Sequence, residues 1–268
     1  MRQPTTNVME QTILIENLPF QLDGGIGSRA SIGLIVLATD YTIEHEWRQV
    51  FAGLEGVALY HSRIFNLNEI TPESLRAMAP RLGECAGVIT PDSLVDVIAY
   101  GCTSASMAIG EEEVFAYIHK SRPDSKCTTP ITAACAAFDA FKAHRIGVLT
   151  PYTAEVNKIV ADYIVARGYQ VPVFGSFNEG RDSNVARITP ASVEQGVREI
   201  IKQAEVEAIF VSCTSVRLME ACAGLEQNLG IPLTSSNHAM AWHALRLAGI
   251  EDSLGQFGSL YELPLPRD

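Results

Sequence analysis

Val97-Ile98-Ala99-Tyr100-Gly101-Cys102-Thr103-Ser104 and Ile209-Phe210-Val211-Ser212-Cys213-Thr214-Ser215 are two versions of one pattern. In each, an apolar run of strand type feeds a Cys-Thr-Ser turn, and a helical pattern follows. A strand that turns into a helix gathers a thiol, two hydroxyls and several unpaired backbone N–H groups at one point. The positive end of such a helix is expected to favour thiolate at Cys102 and Cys213 and to receive a substrate carboxylate.

The duplication extends outward from the cysteines. Thr39-Asp40-Tyr41-Thr42 closes the apolar run Ile32–Leu37, and Thr150-Pro151-Tyr152-Thr153 closes Ile146–Leu149. Tyr41 and Tyr152 are 111 positions apart, as are Cys102 and Cys213. Ile70-Thr71-Pro72 recurs as Ile188-Thr189-Pro190 at an offset of 118. A period this long implies a duplicated domain, since solenoid repeats run to roughly 20–50 residues.

Strand and helix patterns alternate through both copies. Strands are expected near 32–38, 57–60 and 94–100, with helices near 43–54, 73–89, 104–120 and 130–143. The second copy gives strands near 145–149, 169–174 and 207–212, and helices near 153–167, 190–204 and 215–228. A strand at 231–234 and a helix at 239–248 close the chain. The expected fold is α/β: two pseudo-symmetric parallel-sheet, flavodoxin-like halves with the active site between them. The divisions are an N-terminal arm at 1–30, a first half at 31–143 joined by the returning segment 231–268, and a second half at 144–230. The arm ends in Asp23-Gly24-Gly25-Ile26-Gly27-Ser28, which lacks the spacing of a dinucleotide loop. It is expected to pack on a neighbour in a homo-oligomer or to serve as a lead-in.

Composition narrows the function classes. The 268 residues carry a formal net charge of −11, against the basic stripe that nucleic acid demands. Six cysteines occur without CxxC spacing, which fits free thiols in a reducing cytoplasm. Glu10, Glu16 and Asp23 interrupt any signal-peptide run, and no segment has the roughly 20 apolar residues of a membrane span. A soluble, cytoplasmic protein without membrane or nucleic-acid partners is expected.

Each candidate also has an ordinary role. Cys85, Cys127, Cys135 and Cys222 read as small core hydrophobes. Tyr152 sits at a strand end, where parallel sheets bind ligands, though a packed aromatic would look the same. Asn184 lies in the polar loop Gly180–Asn184, which by default turns the chain. Asp40 reads as a helix cap as readily as a site residue. Arg63 is an arginine of solvated type, and the five-residue spacing of His238 and His243 is weak for zinc.

At these residues the chain resembles the aspartate/glutamate racemase superfamily, in its maleate isomerase, arylmalonate decarboxylase and ectoine-utilisation branch. The carrying motifs are Tyr100–Ser104, Leu149–Thr153, Ser212–Ser215, Ser235-Ser236-Asn237-His238-Ala239 and Trp242–Gly249, within about residues 32–250. The resemblance implies cofactor-independent chemistry on a small carboxylate, with Cys102 and Cys213 catalytic. It implies substrate-carboxylate binding by Tyr152 and Asn184. The Cys-Thr-Ser turns themselves add Thr103, Ser104, Thr214 and Ser215 as substrate-binding candidates, and Asp40 joins them as a departure from the maleate-isomerase pattern. Arylmalonate decarboxylases keep the second cysteine alone, and maleate isomerases have asparagine where this chain has Asp40. The expected function is therefore a two-cysteine isomerase, a racemase or a maleate-type cis–trans isomerase, with an amino acid derivative of ectoine degradation among its substrates. A malonate-type decarboxylase using Cys213 alone and a non-catalytic carboxylate-binding protein are the alternatives. Rapid alkylation of one cysteine near neutral pH is expected of the isomerase.

Overall fold

A computed structural model of the chain describes residues 13–266. Its first sheet consists of β1 (Ala30–Leu37), β2 (Val57–Ile64), β3 (Val97–Gly101) and β4 (Lys126–Thr128), all parallel, in the order β2-β1-β3-β4. The second consists of β5 (Arg145–Thr150), β6 (Gln170–Ser176), β7 (Ala208–Val211) and β8 (Leu233–Ser235), also parallel, in the order β6-β5-β7-β8. The two halves thus repeat one topology, as the 111-residue offset requires. β1, β3 and β7 are almost wholly buried, because helices cover both faces of a parallel sheet.

Three Thr-Pro pairs start helices by one device. At α2 (Pro72–Arg76), α6 (Pro130–Phe141) and α9 (Pro190–Gln203) the threonine hydroxyl accepts from a backbone N–H in the first turn, and proline occupies the first helical position. The remaining helices are α1 (Ile43–Phe51), α3 (Leu82–Gly87), α4 (Thr103–Ile109), α5 (Glu111–His119), α7 (Ala154–Ala166), α8 (Asp182–Val185), α10 (Cys222–Leu229) and α11 (Ser236–Leu247).

Several expected elements are corrected. The helix expected at 73–89 is α2, a 3-10 turn at Ala79–Arg81 and α3, because Pro80 breaks the backbone ladder. The helix expected at 104–120 divides into α4 and α5 at Gly110, whose φ of +99° lies in glycine territory. The helix expected at 215–228 begins only at Cys222, so residues 213–221 form an irregular loop. Strand β4 and helix α8 were not expected at all.

The halves also exchange helices. α6 follows β4, yet Ile131, Ala134, Cys135 and Phe138 pack into the core of the second sheet, with the Phe138 ring edge-on to Phe210 at 5.6 Å. α11 follows β8 and packs Ala241, Trp242 and Leu245 among β1 and α1 residues of the first half. Strand β8 belongs to the second sheet, so the return to the first half starts at Ser236 rather than at 231. This exchange welds the two cores together along the seam where the cysteine loops lie.

Of the expected arm, residues 1–12 lie outside the described residues, and 13–29 run without helix or strand. Its end is tied down by Arg29, which donates to the Asp252 carboxylate at 3.1 Å. Among the described residues no helix is long and apolar enough to cross a membrane.

Candidate active site

Cys102 follows β3 directly and caps α4 in an extended conformation. Gly101 makes this possible, because a Cβ there would come within 3.2 Å of the Ile35 carbonyl on the neighbouring strand. Cys213 follows β7 but has φ of +119°, a strained conformation for a residue with a side chain, worth about 1–3 kcal/mol. Its surroundings hold that strain in place. Cys213 N–H donates to Ser236 Oγ at 2.9 Å, and the following Thr214 carbonyl accepts from Asn237 Nδ2 at 2.7 Å. Ser236 Oγ also accepts from the Thr103 hydroxyl at 2.7 Å, so one serine links both Cys-Thr-Ser segments. Across the seam Thr214 Oγ1 donates to the Gly101 carbonyl at 3.4 Å.

Both thiols line one small cavity. Thr103, Ser104, Tyr152 and Thr214 supply its hydroxyls, and Leu37, Leu67, Ile70, Leu75 and Met78 supply an apolar wall. The Tyr152 hydroxyl lies near Cys213 and Ser104, and burial keeps it protonated by pushing its pKa far up. Tyr41, its counterpart in the repeat, is 71% exposed.

Burial decides the state of the thiols. It pushes Cys102 up to about 12 against the Ala105 amide and the Ser104 hydroxyl, which favour thiolate. Cys213 is pushed further in the same direction by burial and by Asp182, against Tyr152 and the Ser215 amide. Helix ends therefore do not make resting thiolates here. Only Cys102 has a helix start behind it.

The remaining expected residues divide. Asp40 is buried, and its Oδ1 accepts from Thr42 N (2.7 Å) and Ile43 N (2.8 Å), which fixes the start of α1. Its Oδ2 is buried without a partner, and burial pushes its pKa up to about 6. Ser215 sits behind the cavity, where its hydroxyl donates to Asp182 Oδ1 at 3.5 Å and its carbonyl accepts from Thr42. Asn184 lies apart from the others. It is exposed, donates to Glu179 Oε2 at 3.0 Å, and does not line the cavity.

Asp182, two residues earlier, lines the cavity instead. Its Oδ2 accepts from Thr39 Oγ1 at 2.7 Å, bridging α8 to the end of β1. Asn66 also lines the cavity and donates to the same Thr39 hydroxyl at 2.7 Å. Arg63 spends its guanidinium on the Leu37, Ala38 and Asp40 carbonyls and on Glu44. His238 and His243 are core histidines, each pushed down to about 4 by burial. They bond the hydroxyls of Thr234 and Thr128.

Paired parallel-sheet halves that turn one cysteine each into a shared cavity define a class of two-sheet α/β proteins whose fold this chain shares with solved maleate isomerases. Within that class it belongs to the arylmalonate decarboxylase family, which it matches over residues 32–261. A maleate isomerase of Pseudomonas putida is 25% identical over 240 residues, 85% of this chain and 96% of its own. An arylmalonate decarboxylase of Bordetella bronchiseptica is 29% identical over 124 residues, 46% of this chain and 52% of its own. Among solved structures, the maleate cis-trans isomerase of Nocardia farcinica bound to TRIS superposes with a TM-score of 0.79 at 22% identity, covering 87% of this chain and 98% of its own.

Proposed function

We propose that this protein is a cofactor-independent isomerase that acts on a small carboxylate, with Cys102 and Cys213 as its catalytic pair. The observation that carries the reading is the meeting of two thiols from separate halves in one cavity, with a protonated tyrosine beside the second.

In the racemase form, one sulfur as thiolate removes the proton α to the substrate carboxylate, and the opposite thiol delivers its proton to the other face. The enediolate formed between these steps accepts hydrogen bonds from the hydroxyls of Ser104 and Tyr152. In the cis–trans form, Cys102 sulfur adds to one alkene carbon while the other takes a proton from Cys213. The resulting single bond rotates, then the C–S bond breaks and the proton returns to Cys213. The helix start behind Cys102 supports it as the adding sulfur, and Tyr152 beside Cys213 supports that thiol as the proton carrier. A decarboxylase that uses Cys213 alone gives Cys102 no task, although Cys102 lines the same cavity.

The proposed setting is cytoplasmic, with an amino acid derivative of ectoine breakdown among the substrates to test. Incubating a panel of amino acids and maleate in D₂O with the protein, followed by proton NMR, tests the reading. Deuterium at the α-carbon with inversion of configuration, or fumarate from maleate, is expected, and the interconversion of isomers should vanish when either cysteine becomes serine. Decarboxylation of a substituted malonate that survives Cys102→Ser would replace this reading with the single-cysteine one.

A further inference from the structure

The loop that carries Cys213 is held from behind by groups that do not line its cavity. Thr42 Oγ1 donates to the Ser215 carbonyl at 2.9 Å, and Glu46 Oε1 accepts from Leu218 N at 2.6 Å and Met219 N at 2.8 Å. Asn237, on α11, completes the arrangement. Its Nδ2 donates to the Thr214 carbonyl and to Glu46 Oε2, both at 2.7 Å, so both amide hydrogens are used. Two acceptors on one side dictate which end of the amide faces them, and they leave Oδ1 buried with no partner. The amide thus keeps its orientation at the cost of an orphaned acceptor, and what it fixes is the carbonyl next to the strained φ of Cys213.

Glu46 takes three donors and has no place for a proton of its own. A proton on Oε2 would meet Asn237 Nδ2, donor against donor, and one on Oε1 would displace a loop amide. An Asn237 amide that turned over to accept the proton would set Oδ1 against the Thr214 carbonyl, acceptor against acceptor. In every case a bond that holds the Cys213 loop is lost.

Resting on the isomerase reading, we propose that Glu46 is a positioning residue for Cys213 that acts through Asn237: the ionised carboxylate sets the amide that fixes the Thr214 carbonyl, and a proton on Glu46 releases it. Burial pushes Glu46 up to about 7 against its three donors, with Asp40 adding to the shift. Asp40, pushed up to about 6 by its own burial, titrates below it. Cys222 on α10 and Tyr261 also feel the Glu46 charge, and burial keeps both protonated. Exposed His45, Arg217 and Glu220 share with Glu46 a second cavity behind the loop, which gives the proton a path from solvent.

The test compares the native protein with Glu46→Gln and Asn237→Ala. Glutamine keeps a carbonyl for the Leu218 and Met219 amides but turns an NH₂ toward Asn237, so it copies the protonated state while the loop stays anchored. Alanine at 237 frees the Thr214 carbonyl and leaves Glu46 its two loop amides. The full chain is labelled with 4,4′-dithiodipyridine from pH 5.5 to 8.5, and mass spectrometry gives the ratio of Cys213 to Cys102 labelling. Burial holds both thiols far above this range, so their thiolate fractions rise in parallel and cancel in the ratio. The native ratio is expected to rise at least about threefold as pH falls through 7, and to be high and flat in both variants. A flat native ratio, or a Glu46→Gln ratio that matches the native one throughout, overturns the positioning role. On a substrate confirmed by the D₂O panel, Glu46→Gln should lower kcat by about 10–100-fold with KM nearly unchanged, and should abolish the fall of native kcat below pH 7. A carboxylate that only stabilised the fold would leave both quantities alone. The labelling ratio needs no turnover, so the expected ratios in a protein that isomerises nothing would overturn the isomerase reading and leave the positioning of Cys213 standing.

Discussion

Cys102 and Cys213 share a tripeptide and meet different local physics. The first caps a helix in relaxed extended backbone, and the second is held at φ +119° by bonds from the other half. If both handle protons, Cys102→Ser and Cys213→Ser should each lower turnover by about 10²–10⁴-fold, because a serine hydroxyl is not ionised near neutrality. Steady-state rates on a confirmed substrate check this, and near-native turnover in either variant would remove the pair from the mechanism. Burial also reverses the alkylation expectation. With Cys102 pushed up to about 12, iodoacetamide at pH 7.5 should label it at least about 10²-fold more slowly than an exposed cysteine of pKa about 8.5. Mass spectrometry across pH should show labelling that climbs without a plateau below pH 9. A plateau near pH 7 would mean a resting thiolate. The cysteines and Tyr152 were legible because a repeated motif put them at strand ends. Asp182 was not, because Asp182 and Asn184 share one polar loop and only the four-residue helix α8 decides which of them faces the cavity.

At the scale of elements, the loop 213–221 explains the missing helix. Leu218 N and Met219 N donate to Glu46 Oε1 at 2.6 and 2.8 Å, while Asn237 Nδ2 donates to Oε2 at 2.7 Å. One buried carboxylate on α1 thus takes amides that would otherwise enter a helical ladder, and sequence periodicity carries no sign of a partner 172 positions away. Burial pushes Glu46 up to about 7 from an ordinary value of 4.5, with Asp40 adding to the shift. The native state therefore keeps a proton that the unfolded chain loses, and stability should fall as pH rises from about 4.5 to 7, by about 3 kcal/mol in all. Glu46→Gln removes this penalty while retaining an acceptor for the loop. Denaturant unfolding at pH 5 and pH 8 should show the variant gaining on the native protein at the higher pH. Parallel pH profiles for the two proteins would mean that Glu46 does not titrate in this window.

For the whole molecule, strand–helix alternation made the two-sheet architecture legible, while the exchange of α6 and α11 was hidden. An amphipathic helix declares that it has a buried face, and nothing in its pattern names the sheet it covers. The arm is a further whole-molecule feature. It precedes the family match that begins at residue 32, and it leaves Ile13, Leu14, Ile15, Leu18, Phe20 and Leu22 more than half exposed. Isolated apolar side chains on a surface are ordinary, but six exposed within ten residues that form no helix or strand are a density of the kind that marks an interface. The homo-oligomer expected from the sequence makes self-association the property to measure. Burying a leucine or phenylalanine contributes about 1.5–3 kcal/mol, so replacing Leu18, Phe20 and Leu22 together by serine should weaken self-association by at least about 100-fold. The cavity is built wholly from residues after the arm, so the same variant should keep its fold and its ligand binding. Sedimentation velocity over a concentration series reads the outcome directly. A native protein that stays monomeric at tens of micromolar, or a serine variant that associates as the native protein does, would show that the arm does not join copies of this chain.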